Sequence, residues 1–223
     1  FFENYDRVLN RKGGFTKEIT ASGIFYNSFI MAFGIASLSV FVSMMAAYSL
    51  VYFKTRFSTL FFWLIFVTLL VPLELRILPS YQIVSDLNLL NSYAGLILPL
   101  SASAIATFFF RQYYRSIPEE LLEAAKLDGA NSWKFFIDFL VPLSKTMIAA
   151  MFIFMFVYGY NQYLWPLIMT TSEKYWTVVM GLKMIYGGNS VDRYTYVILS
   201  LIPPVIIIVF LQRLFIQGLF QSK

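Results

Sequence analysis

Apolar residues fall in long runs broken by short polar punctuation. The runs extend from about Ile24 to Phe53, Leu60 to Leu78, Ser92 to Phe110, Thr146 to Met169 and Thr195 to Leu211. Each is close to the ~20 residues that a helix needs to cross the hydrocarbon core. The pattern therefore predicts an all-α transmembrane bundle with five spans in residues 24–223, preceded by a mixed, polar segment over 1–23 at the extracytoplasmic membrane edge. The first run is rich in Ala, Ser, Gly and Met, residues that let helices approach closely. Residues 79–91 read as a loop. Residues 170–194 read as a polar stretch turning at Gly187-Gly188-Asn189, and Arg213 to Lys223 as a short tail.

One polar island, Ser116 to Pro142, is too short and too charged to cross a bilayer. It opens with a possible capping box, Ser116-x-x-Glu119, with Pro118 in the first turn. Glu119, Glu120 and Glu123 cluster near the helix start, where the dipole favours negative charge. On a helical wheel Ile117, Leu121, Leu122, Ala124 and Ala125 share one face, opposite Glu119, Glu120, Glu123 and Lys126. Gly129 is a natural helix stop, and a second short helix is expected from about Ser132, ending before Pro142. An ordinary amphipathic helix between two spans would show the same local pattern.

Composition narrows the class. The chain of 223 residues is 59% hydrophobic and 13% charged, with neither Cys nor His. That excludes disulfides, thiolate metal sites, His-based catalysis and His-ligated haem. With the island inside, Lys54, Arg56, Arg111, Arg115, Lys126, Lys134, Lys145, Arg213 and Lys223 lie on the cytoplasmic side, leaving Lys174, Lys183 and Arg193 in the outer loops. Arg7, Arg11, Lys12 and Lys17 run against this rule. The start at Phe1, without Met or a signal-peptide pattern, leads to the expectation that a further span precedes them.

Two polar sites fall inside the predicted spans. Glu74 and Arg76 sit between Pro72 and Pro79. Charges at membrane depth mark pathways or partners, and the prolines offer a broken helix lining a cavity. Residues two apart do not face each other on a helix, so no local pair is expected. Arg76 reads either as an attractor for an anionic substrate or as a side chain snorkelling to the headgroups, with Glu74 bonding a neighbouring helix. The second site is Tyr158-Gly159-Tyr160-Asn161-Gln162-Tyr163-Leu164-Trp165-Pro166. Counted from Thr146, Asn161 lies about 22 Å into its span, past the midplane. Asn161 and Gln162 could bond a sugar or polyol on which Tyr163 and Trp165 stack; equally, the segment could be an interfacial aromatic belt with helix-to-helix bonds.

The island also carries a family pattern. Glu123-Ala124-Ala125, three residues, Gly129, nine residues and then Phe139-Leu140-Val141-Pro142 resembles the EAA loop of ABC importer permeases, with Phe139 and Val141 in place of the family's Ile and Leu. The resemblance extends over nearly all of residues 24–223 and is strongest to the carbohydrate-uptake group. It implies a type I ABC importer permease (MetI-like) helical bundle, with six spans in a full subunit. It implies that the loop, about 116–142, couples to an ATPase, with Glu123, Ala124, Ala125, Leu127, Asp128, Gly129 and Pro142 as coupling residues. It further implies a sister permease, two ABC ATPase subunits and an extracytoplasmic binding protein in the bacterial inner membrane. ATP and Mg would sit on the ATPase subunits, since this chain has no G-x-x-x-x-G-K-[ST] loop. The implied cargo is sn-glycerol 3-phosphate, with a neutral sugar such as maltose or trehalose as the alternative. A membrane enzyme lacks a catalytic cluster here. A secondary transporter would have Glu74 as its one intramembrane carboxylate.

Overall fold

The longest helix begins where Thr20 accepts a hydrogen bond from the Gly23 N–H at 3.3 Å, satisfying one of the orphan donors of the first turn. The computed structural model describes residues 2–10, 19–53, 55–184 and 190–220, and among them it contains helices and no strand. After α1 (Phe2–Asn10), α2 (Ala21–Tyr52) forms the axis of the bundle. At 1.5 Å per residue α2 is about 48 Å long, more than the hydrocarbon core requires. Its Ala32, Ala36, Ser39, Ser43 and Ala47 are all buried, at spacings of three and four, and form the close-approach stripe that the sequence suggests.

Three further segments are broken. α3 (Ser58–Val67), extended by a tight turn to Leu70, meets α4 (Leu73–Asp86) at 105°. α5 (Tyr93–Ile97), extended to Leu100, meets α6 (Ala104–Ser116) at 47°. The island follows as α7 (Glu119–Leu127) and α8 (Ser132–Phe135), then a π-helical turn over Phe136–Leu140 and α9 (Val141–Leu143). This second island element meets α10 (Lys145–Tyr160) at 76°. α11 (Leu164–Met169), α12 (Val178–Met184) and α13 (Ser190–Phe220) complete the fold. α2 and the Ser190–Gln212 part of α13 are individually long and apolar enough to cross a membrane; five crossings result when each bent pair counts as one.

Several expected boundaries move. The run at 60–78 is not one helix, because Pro72 holds Val71 extended and caps a new helix. Residues 79–86 are helical rather than loop, with Pro79 tolerated inside α4. The run at 146–169 stops at Tyr160 and restarts at Leu164. The tail expected from Arg213 continues α13 to Phe220, past Pro203 and Pro204. Helical backbone also runs through Pro142 to Leu143, since the wider π turn just before it removes the usual conflict between a proline ring and the preceding carbonyls. Gly187-Gly188-Asn189 lies outside the described residues.

α10 and α6 pack along α2, and α13 packs on α10. A Cβ on Gly159 would stand 3.1 Å from the Ala32 Cα, so α10 crosses α2 so closely that any larger residue would have to push the backbones slightly apart. Buried side chains gather in two clusters. The outer one centres on Ile24, Met31, Ile35, Trp165 and Tyr196; the inner one holds Tyr48, Phe110, Tyr114, Phe135, Phe136 and Leu140. In the outer half, buried Asn27 donates from Nδ2 to the Lys174 and Trp176 carbonyls at 2.7 and 3.0 Å and accepts from Tyr93 at 2.6 Å. One amide thus fastens the segment after α11 onto α2.

Candidate functional site: a docked island and a polar cavity

The island is tied to the bundle by aromatic residues. Tyr48 donates to the Ser132 carbonyl at 2.7 Å, and Tyr113 to the Leu143 carbonyl at 2.6 Å. The Tyr48 ring meets Phe136 at 5.2 Å and the Tyr52 ring meets Phe135 at 5.4 Å. Phe135, Phe136 and Leu140 are buried in the inner cluster. Asn131 caps α8, accepting from the Lys134 N–H at 2.7 Å. The second half of the island is therefore fixed to the C-terminal end of α2.

α7 ends in a Schellman motif. The Gly129 N–H reaches the Lys126 carbonyl at 3.0 Å, and the Ala130 N–H reaches that of Ala125 at 2.9 Å. Gly129 has φ +75°, and a Cβ there would meet nothing within 4 Å, so its requirement within this chain is conformational rather than steric. The capping box does not form. Ser116 ends α6 with its hydroxyl on the Tyr113 carbonyl at 2.6 Å, while Pro118 occupies the cap itself. The expected apolar face also splits. Ala125 is buried and Leu122 half-buried, but Leu121 and Ala124 are exposed. Glu123, Asp128 and Pro142 are exposed as well, and Leu127 is 89% exposed. Trp133 and Ile137, which the sequence reading passed over, also expose their apolar side chains.

On the other side of the bundle, the breaks in α3–α4, α5–α6 and α10–α11 surround a cavity of about 530 Å³. Glu74, Arg76, Gln162 and Tyr163 line it, although far apart in sequence. Pro72 and Ser103, which begin α4 and α6, stand in the same wall; the Ser103 hydroxyl caps α6 by accepting from the Ala106 N–H at 3.2 Å. Asn161 lies in an adjoining cleft that shares Phe154, Tyr158 and Gln162 with the cavity. The Asn161 and Gln162 amides turn back onto the Val157 and Tyr158 carbonyls at 2.9 and 3.3 Å. This satisfies the last turn of α10 and leaves each amide oxygen as an acceptor. Trp165 does not join them: it is buried and donates to the Leu96 carbonyl at 3.2 Å, as a packing residue. Tyr158, which lies between the two clefts, becomes a candidate only once α3–α4 folds over α10. No group of acidic side chains that could hold a metal ion occurs among the described residues.

Comparison with known proteins gives one consistent answer. Residues 39–221 match the family described as binding-protein-dependent transport system inner membrane component. The chain is 49% identical over 203 residues to an sn-glycerol-3-phosphate transport system permease protein, UgpE, of Yersinia enterocolitica, covering 89% of this chain and 72% of that one. It is also 49% identical over 202 residues to the protein of that name in Salmonella typhi, covering 88% and 72%. Among solved structures, a bacterial ABC transporter involved in the import of the acidic polysaccharide alginate superposes with a TM-score of 0.80. That match covers 95% of this chain and 79% of the other at 23% identity, a likeness of fold.

Proposed function

The chain belongs to the family of binding-protein-dependent transport system inner membrane components, and from that premise we propose that it imports sn-glycerol 3-phosphate as one of two permease subunits of an ATP-driven complex. It is a membrane permease subunit and not an enzyme. Its transmembrane domain spans residues 24–223, its partners are a sister permease, two ABC ATPase subunits and an extracytoplasmic binding protein, and ATP with Mg binds on the ATPases.

The observation that carries the substrate is the convergence of Arg76 with Gln162 and Tyr163 on one cavity. A guanidinium offers paired donors to a phosphate, and amide and phenol groups suit the hydroxyls of a short polyol. Glu74 in the same wall limits how firmly an anion is held, which suits a pathway that must release its cargo. The relatives at 49% identity support the same reading through the permeases they are named as.

For coupling, the island presents Glu123, Ala124, Leu127 and Asp128 outward while Ala125 and the Phe135–Leu140 segment hold it to the bundle. When ATP closes the two ATPase subunits, an island so anchored carries their motion into α2, α6 and α10. The bundle then shifts from inward-facing to outward-facing, a change of population between two packed states.

The test is ATPase activity of the reconstituted complex with its binding protein. Stimulation by sn-glycerol 3-phosphate is the expected result. Stimulation by a neutral sugar instead would keep the architecture and overturn the substrate.

A further inference from the structure

A second cavity, of about 320 Å³, lies where the cytoplasmic ends of α2 and α6 meet the start of α7. Arg111 and Arg115, one turn apart on α6, both line it. The Arg111 guanidinium carbon lies 3.8 Å from the centre of the Phe62 ring of α3, a cation–π contact that holds the group in place and uses none of its N–H donors. Among the described residues neither arginine is held by a carboxylate. Among the described residues of the lining Glu119 is the one acidic side chain, so these residues carry two positive charges and one negative. The remaining walls of this groove include Leu50, Val51 and Leu122. Phe57, just before α3, and Leu60 and Phe61 in α3 are exposed by more than half.

We propose that this groove binds the headgroup of an anionic phospholipid of the cytoplasmic leaflet, with the phosphodiester bridging Arg111 and Arg115 and the acyl chains lying along α3. The occupant follows from charge and depth. A phosphodiester carries a single negative charge, which neutralises the net positive charge of the groove, whereas a phosphate monoester, nearer two charges at neutral pH, would leave it negative beside Glu119. The site stands at the level where two spanning helices end, which is where headgroups lie. The exposed apolar side chains beside the groove serve acyl chains and would be idle against a free ion. The proposal requires only that α2 and α6 cross the membrane, whatever the complex imports.

The test is native mass spectrometry of the complete transporter complex titrated with phosphatidylglycerol or phosphatidylcholine. The expected result is saturable binding of phosphatidylglycerol in preference to phosphatidylcholine. Affinity should fall about five-fold in Arg115→Gln and about five-fold again in Arg111→Gln/Arg115→Gln, while Arg56→Gln, outside the groove, binds as the unaltered complex does. Arg115 is exposed, so its replacement tests the site without disturbing packing. Equal binding of the two lipids, or unchanged binding in Arg115→Gln, overturns the proposal. So does displacement of phosphatidylglycerol by inorganic phosphate or sn-glycerol 3-phosphate, which would make the groove a site for small phosphates.

Discussion

The island and the central cavity are built in opposite ways. In the island, Phe135, Phe136 and Leu140 are buried, Tyr48 and Tyr113 clamp the two ends of its second half, Gly129 finishes α7 and Asn131 caps α8. The cavity is walled by interrupted helices and carries exposed Glu74 and Arg76 at membrane depth. In the function proposed here, one region transmits force and must keep its shape, while the other receives and releases a solute and must not be closed by its own bonds. The contrast explains why charged residues within the apolar runs, Glu74 and Arg76, stand at the cavity, where irregular backbone can face water rather than lipid.

The contrast can be broken at its strongest point with Phe136→Ala. Truncating a buried aromatic costs about 3–5 kcal/mol, and the complex should lose thermal stability and coupled transport together, read by a melting curve and an uptake assay. Arg76→Gln should do the reverse. Uptake of sn-glycerol 3-phosphate should fall about ten-fold or more, as expected for loss of a charge-assisted hydrogen bond of about 1.5–3 kcal/mol, while the melting curve stays unchanged because Arg76 is exposed. A matching fall in stability would make Arg76 a structural residue and blur the distinction. Gly129→Val comes next. A β-branched residue at φ +75° costs about 1–3 kcal/mol, and should reorient α7 against α8, lowering transport per ATP hydrolysed more than ATPase activity itself. Normal coupling in that variant would remove the island from the mechanism. The smallest effect is expected from Tyr48→Phe, which keeps the ring contact with Phe136 but deletes the bond to the Ser132 carbonyl, about 1 kcal/mol. A modest fall in melting temperature with uptake retained would show that the clamp is shared among several contacts.

The island was legible because its signals are local: acidic residues at a helix start, glycine at a stop and a fixed spacing to Pro142. Its inward and outward faces were not, since Leu121 and Ala124 share the wheel with Ala125 yet only Ala125 meets the core. The capping box failed for a local reason too, because α6 runs on to Ser116 and uses its hydroxyl first. In the cavity, Glu74, Arg76, Gln162 and Tyr163 could be named individually as polar groups inside apolar runs. Trp165 belonged to the same segment and went to the core, because an indole N–H found the Leu96 carbonyl across the bundle.

Residue order alone determined that this chain lives in a membrane, that its polar island stays outside the bilayer and which family's spacing it carries. Those properties follow from the cost of burying charge and from backbone preferences acting over a few residues. The tertiary structure decided that α3 and α4 turn through 105° and that Arg76 and Gln162 share a cavity. It also decided which arginines stand together beside the island. Those depend on which helix packs against which, and long-range contacts of that kind leave no periodic trace in the residues that make them.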